Sequence, residues 1–141
     1  MIAEEWLACL LRTYPAQSAG FLAREQDPFR NPAGYAFRQA IGILSDELLH
    51  DMDSSRVRAA LDSIVQIRAV EGCPPSQALA FLLQLKPILR LQEPGLPLDL
   101  LYSRIDEMLL EAFDLFMQYR ERTFVVRANE QRRRVHVMER L

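Results

Sequence analysis

Ile67-Arg68-Ala69-Val70-Glu71-Gly72-Cys73-Pro74-Pro75-Ser76-Gln77-Ala78-Leu79-Ala80-Phe81 closes one helix, turns, and opens another. Gly72 is free to take the left-handed conformation that ends a helix, and Pro75 or Ser76 suits the start of the next. With Val57 at zero and 100° per residue, Leu61, Ile64 and Arg68 fall within about 40° of one line, the line that faces a core. A guanidinium is therefore aimed inward, where desolvation is costly unless the charge is paired. Glu71 lies three residues on and also within about 40° of the stripe, so it is an available partner. Arg68 is then either the keystone of a structural ion pair or a group that binds a ligand.

Upstream, Ala3, Trp6, Leu7, Leu10, Leu11 and Tyr14 recur at helical spacing until Pro15 stops them. A short second helix spans about 16–24, and Asp27-Pro28-Phe29-Arg30-Asn31-Pro32 forces a turn. Asn31 caps a third helix running to about His50, and Asp53, Ser54 and Ser55 offer caps for the fourth. The fifth, from Pro75, is apolar nearly all round, which marks an enclosed helix at the centre of the domain. Pro87 predicts a kink or an early end near Lys86. Glu93-Pro94-Gly95-Leu96-Pro97 reads as the clearest loop. Beyond it, Leu101, Ile105, Met108, Leu109, Ala112, Phe113 and Phe116 trace a sixth helix, which Phe124, Ala128, Val135 and Met138 continue. No Asn-Gly or Asp-Gly joins alternating segments, so no strand is expected. The fold class is all-α: a single-domain bundle of about six helices over 1–141 with a long C-terminal helix.

The 141 residues suffice to bury roughly two thirds of the unfolded surface without metal or disulfide. Two cysteines, Cys9 and Cys73, with no CxxC spacing read as free thiols, and neither has a flanking basic residue to make it a redox sensor. No basic-then-apolar leader opens the chain and no apolar run is long enough to span a bilayer, so a cytoplasmic location without membrane insertion is expected. The net charge of −2 conceals a split. Residues 1–119 carry ten basic and sixteen acidic side chains, and 120–141 carry seven basic and three acidic. An acidic body with a basic terminal helix from about 120 to 141 suits antiparallel or head-to-tail association of copies, or an acidic partner surface.

No phosphate loop, GxGxxG, HExxH or GxSxG occurs, and no enzyme is expected. Cys9, His50, Cys73 and His136 match no zinc spacing, and neither histidine is placed as a haem ligand, so no cofactor or metal is expected. The Arg132-Arg133-Arg134 run invites a nucleic-acid reading, but a pI near 5.7 and the flanking Glu130 and Glu139 argue against it. Tyr119, Arg120, Arg127, Asn129 and Glu130 form a second polar cluster, interleaved with apolar residues as on a dimer or partner surface.

Asp27-Pro28-Phe29-Arg30-Asn31-Pro32, Ile67-Arg68-Ala69-Val70, Pro75-Ser76-Gln77-Ala78, Leu85-Lys86 and Arg127-Ala128-Asn129-Glu130 with Met138-Glu139-Arg140 together resemble the N-terminal domain family of the RsbT co-antagonist protein RsbRD. The chain departs from that pattern at Ala33, at Glu71-Gly72-Cys73 and at Pro87. The resemblance implies a bacterial sensory or regulatory input module, standing alone or ahead of a histidine kinase or anti-sigma-factor antagonist output domain. It also implies a globin-like fold without haem that forms a homodimer. Two readings follow. One is a non-enzymatic signal-transduction module acting through protein association and helix repacking. The alternative is a sensor holding an apolar or acidic small ligand between the fourth, fifth and sixth helices, with Arg68 or Lys86 pairing its acidic group; Arg68, Glu71 and Lys86 are thus the candidate ligand or structural ion-pair residues.

Overall fold

Local cap chemistry sets where the helices begin. The Asn31 side chain accepts from the Gly34 amide at 2.9 Å, and Asp53 accepts from Ser55 and Arg56 at 3.0 and 3.1 Å. Each satisfies donors that a helix start leaves unpaired. The computed structural model describes residues 1–92 and 94–140; Glu93, at the expected loop, and Leu141 lie outside the described residues. Among these it contains six helices and no strand: α1 (Ile2–Leu11), α2 (Ala16–Arg24), α3 (Pro32–Leu49), α4 (Ser54–Val70), α5 (Pro75–Gln92) and α6 (Leu98–Glu139).

α1 packs on α5 and α3, α3 on α4, α4 on α6, and α6 on α5, so five helices close a ring around one core. α2 touches only α1 and α3 and has no fully buried residue. Trp6, Phe37, Phe81 and Phe116 are the largest buried side chains. The Trp6 indole N–H donates to the Phe81 carbonyl at 2.7 Å and the two rings stack at 5.9 Å, which fixes α1 to α5. Burying an aromatic ring and its one polar group together avoids the cost of an orphaned donor.

Three expectations change. α5 does not end early: it continues from Pro75 to Gln92 with Pro87 inside it. Leu85, Ile88 and Leu89 are buried on both sides of that proline, and Leu83, whose carbonyl loses its donor, is half exposed, where water can replace the missing bond. α5 is also not enclosed all round. Leu83 and Leu91 face outward, and a groove of about 560 Å³ opens between α5 and α6. Finally, Phe113 sits outside the core stripe of α6 and Leu115 takes the buried position.

The last fully buried residue of α6 is Phe116, with Tyr119 packed half-buried against the core one turn on. From Glu121 to Arg140 every residue is exposed except the half-buried Thr123 and Ala128, so the second half of the helix stands away from the bundle. At 1.5 Å per residue, those 20 residues reach about 30 Å.

Candidate functional site

The turn between α4 and α5 is built from the stretch that opens the sequence reading. Gly72 supplies the left-handed step at φ 80°, a conformation that costs other residues about 1 kcal/mol or more. Arg68, on the last turn of α4, is 3% exposed and points inward. Its Nε donates to the Ala78 carbonyl at 3.3 Å, Nη2 to the Gln77 carbonyl at 3.1 Å, and Nη1 to Thr13 Oγ1 at 2.9 Å. Its guanidinium also lies 5.1 Å from the centre of the Tyr14 ring. The Glu71 carboxylate stands 3.7 Å from Nη1, and its other oxygen accepts from the Tyr14 hydroxyl at 2.5 Å. One cation thus ties the end of α1, the end of α4 and the first turn of α5. Burial, followed by the hydrogen bond to Glu71, pushes the Tyr14 hydroxyl pKa up to about 12, with Arg68 pulling the other way.

A second arginine holds the same turn. Arg120 Nε donates to the Ala69 carbonyl at 2.8 Å and Nη2 to the Cys73 carbonyl, with the guanidinium 4.7 Å from the Phe116 ring centre. On the residue just before Arg120, the Tyr119 hydroxyl donates to Asp62 at 2.6 Å. That bond, with some help from burial, raises the Tyr119 pKa. Arg120 and Tyr119 therefore fasten α6 to α4 at the point where it leaves the bundle.

The residues singled out from sequence fall into three places. Arg68 and Glu71 are together in the turn. Lys86 is apart from them, about two turns along α5; its ammonium pairs with Asp106 of α6 at 2.7 Å and lies 5.6 Å from the Tyr102 ring centre. Tyr119 and Arg120 are half buried at the root of the projection, whereas Arg127, Asn129 and Glu130 are exposed on it, Glu130 accepting from Arg134 at 2.9 Å. Thr13, Tyr14 and Asp62 complete these clusters, and spacing gives no sign of them because they arrive from 55 to 57 residues away. Among the described residues no group of three His, Cys, Asp or Glu side chains converges as a metal site, and no helix is long and apolar enough to cross a membrane.

The family of the RsbT co-antagonist protein rsbRD N-terminal domain matches residues 1–131. The chain belongs to this family. Membership makes it a regulatory input domain of the stress-signalling kind. The match covers all six helices up to Gln131 and includes both arginine clusters, while the Arg132-Arg133-Arg134 run lies past it. No curated protein and no solved structure matches the chain.

Proposed function

We propose that this RsbRD N-terminal domain is a non-catalytic, cytoplasmic module of one domain that forms a homodimer through the projecting half of α6. In this reading it passes a signal by shifting the packing of the α4–α5 turn against α6. The observation that carries it is the pairing of an exposed apolar helix end with a polar clamp at its root. Phe124, Val125, Val126, Val135, Val137 and Met138 are all more than half exposed on α6. Such an apolar surface on a helix standing in water calls for a partner. The clamp formed by Arg120 on Ala69 and Cys73 makes any movement of the turn a movement of α6. Interfaces of this kind repack between discrete arrangements, which is how a small change at one end is read at the other.

The receiving partner is a signalling protein, such as a histidine kinase or an anti-sigma-factor antagonist output domain, engaged through α6. Light scattering at micromolar concentration tests the reading. A dimer that weakens when Arg127 and Glu130 are reversed in charge supports it, and a monomer speaks against it. The small-ligand alternative draws on the apolar groove between α5 and α6, lined by Leu79, Leu83, Leu109 and Phe113. A stoichiometric adduct in native mass spectrometry of the freshly purified protein would favour it.

A further inference from the structure

Most of the large apolar residues exposed on α6 share one face, with Leu100, Val125, Val126 and Val137 lying 100° or more from it. With Phe124 at zero and 100° per residue, Leu110, Phe113, Met117, Ala128, Val135 and Met138 all fall within about 40° of it. Leu110, Phe113 and Met117 are 68%, 46% and 39% exposed, and Phe124, Val135 and Met138 are 74%, 54% and 72% exposed. A single seam therefore runs from the bundle to the tip of the projection. Its lower end is one wall of the α5–α6 groove, which Leu79, Ala80 and Leu83 complete from α5.

The charges beside this seam change sign along its length. Within about 100° of it, residues 106–114 carry Asp106, Glu107 and Asp114, and residues 127–139 carry Arg127, Arg132 and Arg134 against Glu139 alone. Asp106 is paired with Lys86 and Glu111 with Arg58, while Glu107 and Asp114 have no ion-pair partner among the described residues. Arg132, Arg133 and Arg140 likewise have none, and Arg134 has only the neighbouring Glu130. Two such helices side by side in parallel would set acid against acid and arginine against arginine. Turned end for end, they set each arginine-rich tip beside an acidic bundle end, and electrostatic complementarity of this kind selects orientation and register.

We infer that the occupant of the α5–α6 groove is the tip of α6 from a second copy of this chain. The two α6 helices run antiparallel and cross near Phe124. This rests on the reading of the chain as a dimer through α6 and adds its direction and its second contact surface. Val135 and Met138 of one copy then pack against Leu110, Phe113 and Leu83 of the other, and Arg132 approaches Asp114. Each copy closes the other's open apolar wall, so two separate exposed surfaces are covered by one twofold arrangement.

Pulsed electron spin resonance on full chains carrying Cys9→Ser and Cys73→Ser distinguishes the possibilities, with one spin label at Arg122→Cys or at Val137→Cys. Both positions are exposed and lie 140° or more from the seam, so neither label disturbs the core or the pairing. Antiparallel pairing gives a short distance at 122 and a distance of about 39 Å along the helices at 137, since 13 residues of helix separate each label from the crossing point. Short distances at both positions would leave the dimer standing and overturn the antiparallel arrangement. No coupling at either position would overturn both. As a check independent of labelling, Asp114→Arg should weaken dimerisation several-fold and Arg132→Asp in the same chain should restore it; a double variant as weak as the single one counts against the pairing.

Discussion

Arg68 and Arg120 hold the same turn, one from inside the bundle and one from its surface. Arg68 donates to the carbonyls of Gln77 and Ala78, where α5 begins, and Arg120 donates to those of Ala69 and Cys73, where α4 ends. The corner around Gly72 is thereby joined both to α1, through Thr13 and Tyr14, and to the root of the projecting helix. A buried arginine is a poor source of net stability but a strict enforcer of geometry, because every acceptor it leaves must find another donor.

Arg68→Met should therefore destabilise the fold by about 3 kcal/mol, from three unpaired acceptors and a carboxylate left beside apolar groups. Arg68→Lys, which keeps the charge but has no planar fork, should lose part of that. Urea unfolding measures both. A loss below about 1 kcal/mol for the methionine variant would mean that the turn does not depend on this cation.

Removal of the outer clamp should act locally. Arg120→Ala should cost about 1–2 kcal/mol for hydrogen bonds from a charged donor. Its sharper effect should be faster amide hydrogen exchange at 69–74 and at the root of α6, with the α1–α5 contact around Trp6 and Phe81 unchanged. Uniformly faster exchange across the bundle would show that Arg120 supports the whole fold rather than the junction.

Tyr14 gives the turn an alkaline signature. Its pKa is raised to about 12 from 10.0, so the folded state holds the proton more tightly than the unfolded chain does. The contribution is fully present below pH 10 and falls away as pH rises from 10 to 12. The stability difference between wild type and Tyr14→Phe, followed by urea titration at successive pH values, should be constant below pH 9 and shrink above 10. A difference that grows with pH would reverse the assignment.

Two glycines should respond oppositely to alanine. A Cβ on Gly34 would sit 2.2 Å from Asn31 Nδ2, the amide that donates to Leu22 and Glu25 and whose oxygen caps α3. Gly34→Ala should cost about 2 kcal/mol through the lost cap and displaced bonds. Gly42 lies on the exposed face of α3 with nothing within 4 Å of a Cβ, so Gly42→Ala should stabilise by about 0.5–1 kcal/mol. Thermal melts of the pair decide it, and equal effects would contradict the placement of Asn31.

Local rules made the helices legible. Asn31, Asp53 and Gly72 mark ends by side-chain or backbone chemistry that needs no tertiary partner, and helical spacing turned Arg68 inward before any contact was known. The partners of that arginine were only partly legible. Glu71, three residues away, was within reach of a periodicity argument, but Thr13 is 55 residues distant and Gln77 and Ala78 contribute backbone carbonyls, which have no sequence identity. The early end expected at Pro87 is absent because propensity is local while the packing of Leu85, Ile88 and Leu89 is not. The open side of α5 was hidden for a related reason: an apolar helix reads as enclosed whether it is covered by its own chain or by another.

Sedimentation equilibrium at micromolar concentration, on the wild-type chain and on Phe124→Glu, tests the central claim most directly. A wild-type particle of twice the chain mass, reduced to a single chain by a carboxylate in the middle of the α6 seam, is the expected result. A wild-type monomer, or a dimer that Phe124→Glu leaves intact, would contradict it.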